Sequence, residues 1–378
     1  MSLEPALEPK RLAAIRAPFE AFGGVAVDAP ILQPLSLLLD LAGEGMRARL
    51  FVVQAEGAEE QALRPDFTIP VVETHIRSGA SHGRYRYEGK AFLVAERGSQ
   101  HPSEFLQIGA ESFGAVDNTA KEDAGMAALA WRASRAGGRD DLSVKLGDPT
   151  LFSDFLSAIG LPEGVVTRLS RAFRSERALH RELDLAGASG AEPATGGGLA
   201  ELLGGLKDAE AAQLLKEIWR LSGIQPVGGR SAEEIVQRLA AREEAARARR
   251  LTPGEADLIR RYLRLSDDPT KVLDAIDALA RQAGGALDRT LSDWTLRLST
   301  LAELTAGDAP DLTLSTAFIR PFGYYDGMLF EVASAALEPD QPVAGGGRYD
   351  GLPERLGGKA GAVGCMVRPG RAIVEASR

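Results

Sequence analysis

Leu63-Arg64-Pro65-Asp66-Phe67-Thr68 sets a carboxylate and a hydroxyl two residues apart, directly after a proline. Pro65 drives Arg64 into an extended conformation. If the extension continues, Asp66 and Thr68 project from one face. A carboxylate beside a hydroxyl suits an ammonium group, which needs anionic and neutral acceptors. The same residues also suit a solvated turn after the proline.

Phe105-Leu106-Gln107-Ile108-Gly109-Ala110-Glu111-Ser112-Phe113-Gly114 is the second chemical segment. On a strand, Gln107, Gly109 and Glu111 share one face, with apolar residues on the other. Glycine weakens a strand, so Gly109 between two polar residues suggests space for a ligand. The alternative is a sheet face exposed to water.

Arg320-Pro321-Phe322-Gly323-Tyr324-Tyr325-Asp326-Gly327-Met328-Leu329-Phe330-Glu331 adds a cation and two phenols. Arg320 can fork onto a carboxylate, and Tyr325 offers an aromatic wall with a hydroxyl. Tyr325, Gly327, Leu329 and Glu331 share a face if the segment is a strand. Packing alone accounts for Tyr324, and a structural ion pair is the other reading of Arg320. Finally, the glycines of Gly345-Gly346-Gly347-Arg348-Tyr349-Asp350-Gly351-Leu352 permit close backbone approach beside the ring of Tyr349. That loop is neither a P-loop nor a dinucleotide fingerprint.

The elements that position these residues fall into two styles. Residues 1–148 read as mixed α/β. Leu12, Ile15, Phe19 and Phe22 have helical spacing up to Gly23-Gly24, with Pro18 placed to kink or shorten the helix. Leu50–Val53 suits a short buried strand, Arg84–Val94, Phe105–Ala115 and Leu142–Leu146 suit longer ones, and Thr119–Ala136 is a helix closed by Gly137-Gly138. From Asp148 to about Gly285 the period is helical. Asp148-Pro149, Ser231-x-x-Glu234, Thr252-Pro253-x-Glu255 and Asp268-Pro269 all carry helix-start chemistry. Gly187–Gly198 reads as a mobile loop. A helix near Leu291–Leu304 precedes further strands at Leu312–Ile319, Tyr325–Ala333 and Ala362–Val367. The expected fold is α+β, an antiparallel-rich core over 1–148 and 286–378 with a helical insertion at 149–285.

Composition narrows the function. The net charge of -9 argues against an extended nucleic-acid surface. A single cysteine, Cys365, excludes an intramolecular disulfide, and His75, His82, His101 and His180 lack metal-ligand spacing. No metal and no cofactor are expected. The N-terminus is not a signal peptide, and no apolar run reaches membrane-spanning length, so a cytoplasmic location is expected.

Together the four chemical segments resemble histidyl-tRNA synthetase and its paralogues, a class II aminoacyl-tRNA synthetase fold of antiparallel sheet flanked by helices. Leu63–Thr68 is similar to the family's L-R-P-E-x-T, Phe105–Gly114 to F-x-Q-x-G-x-E-x-F-G, Arg320–Glu331 to R-x-x-x-Y-Y-x-G-x-x-F-E, and Gly346–Leu352 to G-G-R-Y-D-G-L. The resemblance implies a histidine-type pocket. In it Asp66 and Thr68 face the α-amino group, Gln107 helps hold the amino acid, and Glu111 meets the imidazole side. Tyr325 and Tyr349 line the imidazole slot, and Arg320 lies near the carboxylate.

The departures from the family pattern shape the expected function. Its F-R-x-E phosphate clamp aligns with Phe92-Leu93-Val94-Ala95, where Leu93 cannot bind phosphate; Glu96 and Arg97 are slipped equivalents in the wrong order. In its third motif Arg371 matches the final Arg, Arg368 replaces a small residue, Gly370 replaces a Glu, and Pro369 is placed to disturb the helix. Seven residues follow Arg371, against roughly 90 for the family's anticodon-binding domain, which is not expected here. The resemblance therefore implies the branch of non-catalytic regulatory subunits of ATP phosphoribosyltransferase. Members of that branch join a short catalytic subunit for the first step of histidine synthesis. L-histidine is the implied effector, and dimers form around a motif that here includes Val25–Leu32. The alternative is a synthetase-like ligase that activates an amino acid for an acceptor other than tRNA.

Overall fold

A computed structural model describes residues 4, 7–95, 101–114, 118–187, 213–214, 216–218, 249–320, 323–359 and 361–374. The expectations for Glu96 and Arg97, for 188–198 and for Ser231–Glu234 lie outside these residues. The chain divides into two compact units. One comprises Met1–Thr150, Leu265–Asp274 and Asp288–Arg378; the other comprises Leu151–Arg264 and Ala275–Leu287.

In chain order the described elements begin with α1 (Pro9–Phe22), β1 (Val25–Ala26), β2 (Leu32–Pro34), α2 (Leu35–Ala42), β3 (Val52–Val53) and β4 (Gln61–Leu63). They continue with α3 (Thr68–Ser78), β5 (Gly83–Phe92), β6 (Glu104–Phe113), α4 (Thr119–Ala136) and β7 (Leu142–Gly147). Next come α5 (Pro149–Ala158), α6 (Glu163–Phe173), α7 (Glu176–Asp184), α8 (Pro253–Leu263), β8 (Ser266–Asp267), α9 (Pro269–Gln282) and α10 (Asp288–Leu304). The last are β9 (Asp311–Ser315), β10 (Leu329–Ser334), β11 (Ala344–Arg348), α11 (Gly351–Arg355), β12 (Ala362–Val367) and α12 (Pro369–Ala372).

The first unit is built on a sheet of order β1-β5-β6-β12-β11-β10-β7-β9-β8. Its central run from β5 to β7 is antiparallel throughout. Helix α4 packs on β11 and β12. It buries Ala120, Ala124, Ala127, Ala128, Ala130 and Ala133, and these short side chains let the helix axis come close to the strands. At its buried face Asp123 accepts from Arg348 Nε of β11 at 2.7 Å and from Arg297 Nε of α10 at 2.9 Å. One carboxylate thus ties two helices and a strand together. No described helix is long and apolar enough to cross a membrane.

Several expectations about elements change. Helix α1 runs through Pro18 to Phe22. Val52 and Val53 form not a buried strand but the edge of a separate sheet, β2-β4-β3, and stay 40% and 38% exposed, because an edge strand has a single neighbour. The extension after Pro65 stops at once, since Thr68 opens α3 and Asp66 Oδ1 accepts its N–H at 3.2 Å. Residues Tyr325 to Met328 precede β10, which starts at Leu329. Pro369 opens α12 rather than disturbing it, since the first turn has no use for its missing N–H.

The second unit is helical in its described residues. Phe152 stacks on Phe173 with ring centroids 4.5 Å apart, and Phe155 stacks on Tyr262 at 4.6 Å. Asp148, Thr252 and Asp268 cap α5, α8 and α9 as their sequence patterns require, and Thr252 with Glu255 completes a capping box.

Asp123→Ala should cost about 3 kcal/mol, because it takes the bridging carboxylate from the largely buried Arg297 and from Arg348, which keeps Glu122 and Asp350. Urea unfolding checks this; a loss under about 1 kcal/mol, the worth of a surface pair, would show that the network does not hold the helices to the sheet.

Candidate functional site

The register of the central strands lays two rows of residues across one face of the sheet. One row runs Glu331, Gly345, Met366, Gly109, Tyr87; the next runs Leu329, Gly347, Gly364, Glu111, Tyr85. Glycine occurs where a large neighbour leans over. A Cβ on Gly109 would sit 2.3 Å from Tyr87 Cζ and Oη, and one on Gly364 would sit 1.4 Å from Glu111 Oε2. On Gly345 it would lie 1.9 Å from an Arg320 nitrogen. These glycines form a floor on which Tyr87, Glu111 and Arg320 lie flat. The gap at Gly109 therefore holds a tyrosine of the chain itself. Strand β6 is also buried on both faces from Gln107 onward, which excludes the water-exposed reading.

Glu111 is the centre of the site. Its Oε1 accepts from Thr68 Oγ1 at 3.0 Å and from Tyr87 Oη at 3.3 Å. Its Oε2 accepts a short hydrogen bond from Tyr349 Oη. Asp66 sits in the same core and accepts from Tyr324 Oη at 2.9 Å. Burial pushes the Glu111 carboxyl up to about 8, and the nearby Asp66 charge adds to that, against the hydrogen bonds that oppose it. Burial likewise raises Asp66 to about 6, with Tyr324 and the Thr68 N–H pulling the other way. Two acidic groups in one apolar enclosure attract cations and protons.

Aromatic rings close this enclosure. Tyr325 is half-buried, with its ring 4.8 Å from Tyr324 and 6.2 Å from Tyr349. Phe67 stacks on Tyr87 at 4.5 Å, and the Arg64 guanidinium lies 4.0 Å from the Phe67 ring. Arg64 also donates to the carbonyls of Lys90 and Ala29, so it fastens the Asp66 segment to β5.

Of the residues singled out by sequence, Asp66, Thr68, Glu111, Tyr325 and Tyr349 come together. Gln107 is buried on the same face, but no hydrogen bond among the described residues joins it to the Glu111 cluster. Arg320 takes its structural role: Nη1 donates to Glu331 at 2.7 Å and to the Phe330 carbonyl at 3.3 Å. Its Nε is buried without a partner among the described residues. Tyr324 does more than pack, because it donates to Asp66. Tyr87 is a site residue that sequence reasoning misses. Its alternation with Tyr85 in β5 was the available signal, but its place opposite Gly109 is set by the strand register. His75 pairs with Tyr85 Oη at 3.1 Å and stacks on Phe113, a structural histidine. Among the described residues no group of His, Cys, Asp and Glu is arranged to hold a metal ion.

The family profile described as Histidyl-tRNA synthetase matches residues 11–212 and 200–371. The ATP phosphoribosyltransferase regulatory subunit of Brucella anthropi is 33% identical over 350 residues, covering 91% of this chain and 90% of its own. That of Brucella ovis is 35% identical over 352 residues with the same coverage. Among solved structures, an ATP phosphoribosyltransferase regulatory subunit/histidyl-tRNA synthetase from Bacillus halodurans aligns with TM-score 0.62 at 17% identity, over 97% of this chain and 78% of that one. Histidyl-tRNA synthetase from Nostoc aligns with TM-score 0.60 at 16% identity, over 97% and 72%. These two likenesses carry the class II fold.

A carboxyl that binds its proton more tightly when folded stabilises the fold at low pH, and loses that contribution as pH rises through its folded value. Between pH 6 and 8 the Glu111 group dominates this loss, because its ordinary value is 4.5 and its folded value about 8. The melting temperature should fall across that window, and Glu111→Gln should flatten the fall. Equal slopes in the two proteins would remove Glu111 as the source.

Proposed function

The chain belongs to the ATP phosphoribosyltransferase regulatory subunits, on a histidyl-tRNA synthetase fold, and from that premise we propose that it holds free histidine at the Asp66–Glu111 site without activating it. Its role is regulatory, in histidine biosynthesis. The observation that carries the proposal is the pair of buried carboxyls walled by Tyr87, Tyr324, Tyr325 and Tyr349.

Histidine offers matching chemistry. Its ammonium supplies the positive charge that Asp66 and Glu111 lack. The imidazole is flat and polar at its edge, which suits the rings of Tyr325 and Tyr349. The carboxylate can reach the unpartnered Nε of Arg320, whose Nη1 is committed to Glu331. Adenylation needs a grip on the α-phosphate, and the aligned segment presents Leu93 and Ala95. Catalysis is assigned to a short catalytic subunit that this chain joins in the cytoplasm.

Regulation then follows from population shift. Histidine binds more tightly to the assembly state of lower activity, and so moves the complex toward it. Self-association through the Val25–Leu32 segment is part of the proposal; Val25, Ile31 and Leu32 are 64%, 48% and 46% exposed, an apolar surface suited to a second copy.

Four measurements test this reading. Calorimetry at pH 7 in buffers of different ionisation enthalpy should show histidine binding with proton release, because the ammonium favours ionised Glu111. Asp66→Asn should weaken that binding by about tenfold or more, the cost of one charge-assisted hydrogen bond. Co-purification with the short catalytic subunit should raise its activity, and histidine should lower it. Rapid ATP–pyrophosphate exchange with histidine would establish the ligase instead.

A further inference from the structure

The two tyrosines proposed to line the imidazole slot are held in different ways. Tyr349 sits at the end of a strand. Its ring is fully buried, its Oη donates to Glu111, and its N–H donates to the Ala362 carbonyl at 2.8 Å. Arg348, the residue before it, closes β11 and is anchored to α4 through Asp123 at 2.7 Å and Glu122 at 3.3 Å. Asp350, the residue after it, accepts from the Ala362 N–H at 2.8 Å and from Arg348 Nη1 at 3.0 Å. Tyr325 belongs to neither a strand nor a helix. It is half-buried in irregular backbone ahead of β10.

Asp326, next to Tyr325, ties the second segment to the first. Its Oδ1 accepts the Asp350 N–H at 2.9 Å, and its Oδ2 accepts the Gly351 N–H at 2.6 Å. Its own N–H donates to the Arg348 carbonyl at 3.1 Å, and the Gly327 N–H donates to the same oxygen at 3.3 Å. Hydrogen bonds from both flanks of Tyr349 therefore meet the residues that follow Tyr325. The two made by the carboxylate are charge-assisted, which makes them roughly twice as strong as neutral ones. A Cβ on Gly351 would lie 2.8 Å from Asp326 Oδ2, so a larger residue there would push the carboxylate aside. A plainer role is also open to Asp326. Helix α11 starts at Gly351 without a side-chain cap from Asp350, and Asp326 supplies acceptors to its first turn.

We infer that Asp326 is a positioning residue, which holds the Tyr325 ring at a set distance and angle from Tyr349 and so shapes the corner that receives the imidazole. The inference rests on the histidine binding proposed above. The two ring centroids stand 6.2 Å apart with their planes at 79°. A flat ring can therefore lie along one and meet the other edge-on. Such contacts are short-ranged, and a gap of about 1 Å forfeits nearly half of each. Tyr349 is fixed by the sheet and by Glu111, so the placement of Tyr325 decides whether both contacts form together. The Asp326 carboxylate faces main-chain donors rather than the ligand, so its effect on binding passes through Tyr325.

A thermodynamic cycle separates this role from support of α11. Histidine binding to the full chain is measured by calorimetry for the parent, D326A, Y325A and the double variant. D326A should weaken binding by about tenfold, as the ring contact loosens with its tether. Y325A should weaken it by about tenfold too, with Asp66 and Glu111 still holding the ammonium. In the Y325A background, D326A should cost less than about twofold, because the ring it places is gone. Additive losses would assign Asp326 to α11 and overturn the inference, as would equal affinity in the parent and D326A. If D326A does not fold, D326N carries the test. Its amide keeps one acceptor and should lose about threefold where Tyr325 is present and nothing where it is absent; any other pattern overturns the inference. A parent chain that binds no histidine would remove the proposed function itself, and this inference with it.

Discussion

The site depends on a carboxyl group lying flat in the middle of a sheet. Glu111 can occupy that place only because Gly364, opposite it on β12, has no side chain, and because three hydroxyls reach its oxygens. A carboxyl so far from water is costly unless it is neutral or compensated. Here the compensation comes from Thr68 at the start of α3, Tyr87 on β5 and Tyr349 just after β11. The strand register, the placement of α3 and the glycine floor are therefore parts of one constraint, and the binding chemistry inherits their geometry.

That constraint explains which features were legible in the sequence. Long elements with a strong period stand out: α4 covers Thr119–Ala136 and β12 covers Ala362–Val367, both as their spacing predicts. Caps such as Asp148 and Thr252 also read directly, because their chemistry is local. What depends on distant pairing does not. Nothing near Gly109 in the sequence announces that Tyr87 fills its gap, and nothing near Tyr324 announces Asp66, 258 positions away. Val52 and Val53 look like core residues and lie on an edge, since edge position is decided by sheet order.

Charge shows the same limit. Leu93 and Ala95 truthfully report the loss of one phosphate grip, yet Arg368 on the facing strand end brings a guanidinium back into the cavity they line. An acidic chain can thus hold a local basic site. The carboxyl cluster and the arginine-lined cavity adjoin through Arg320, which lines the cavity and lies 5.8 Å from the Tyr325 ring. Arg320 lines that cavity, and its pairing with Glu331 at 2.7 Å fixes its position there.

The most direct test of the central claim is a crystal structure of the chain grown with histidine. The account predicts the ammonium between Asp66 and Glu111, with the imidazole against Tyr325 and Tyr349. Histidine bound elsewhere while the Glu111 hydroxyl network stays closed would contradict it.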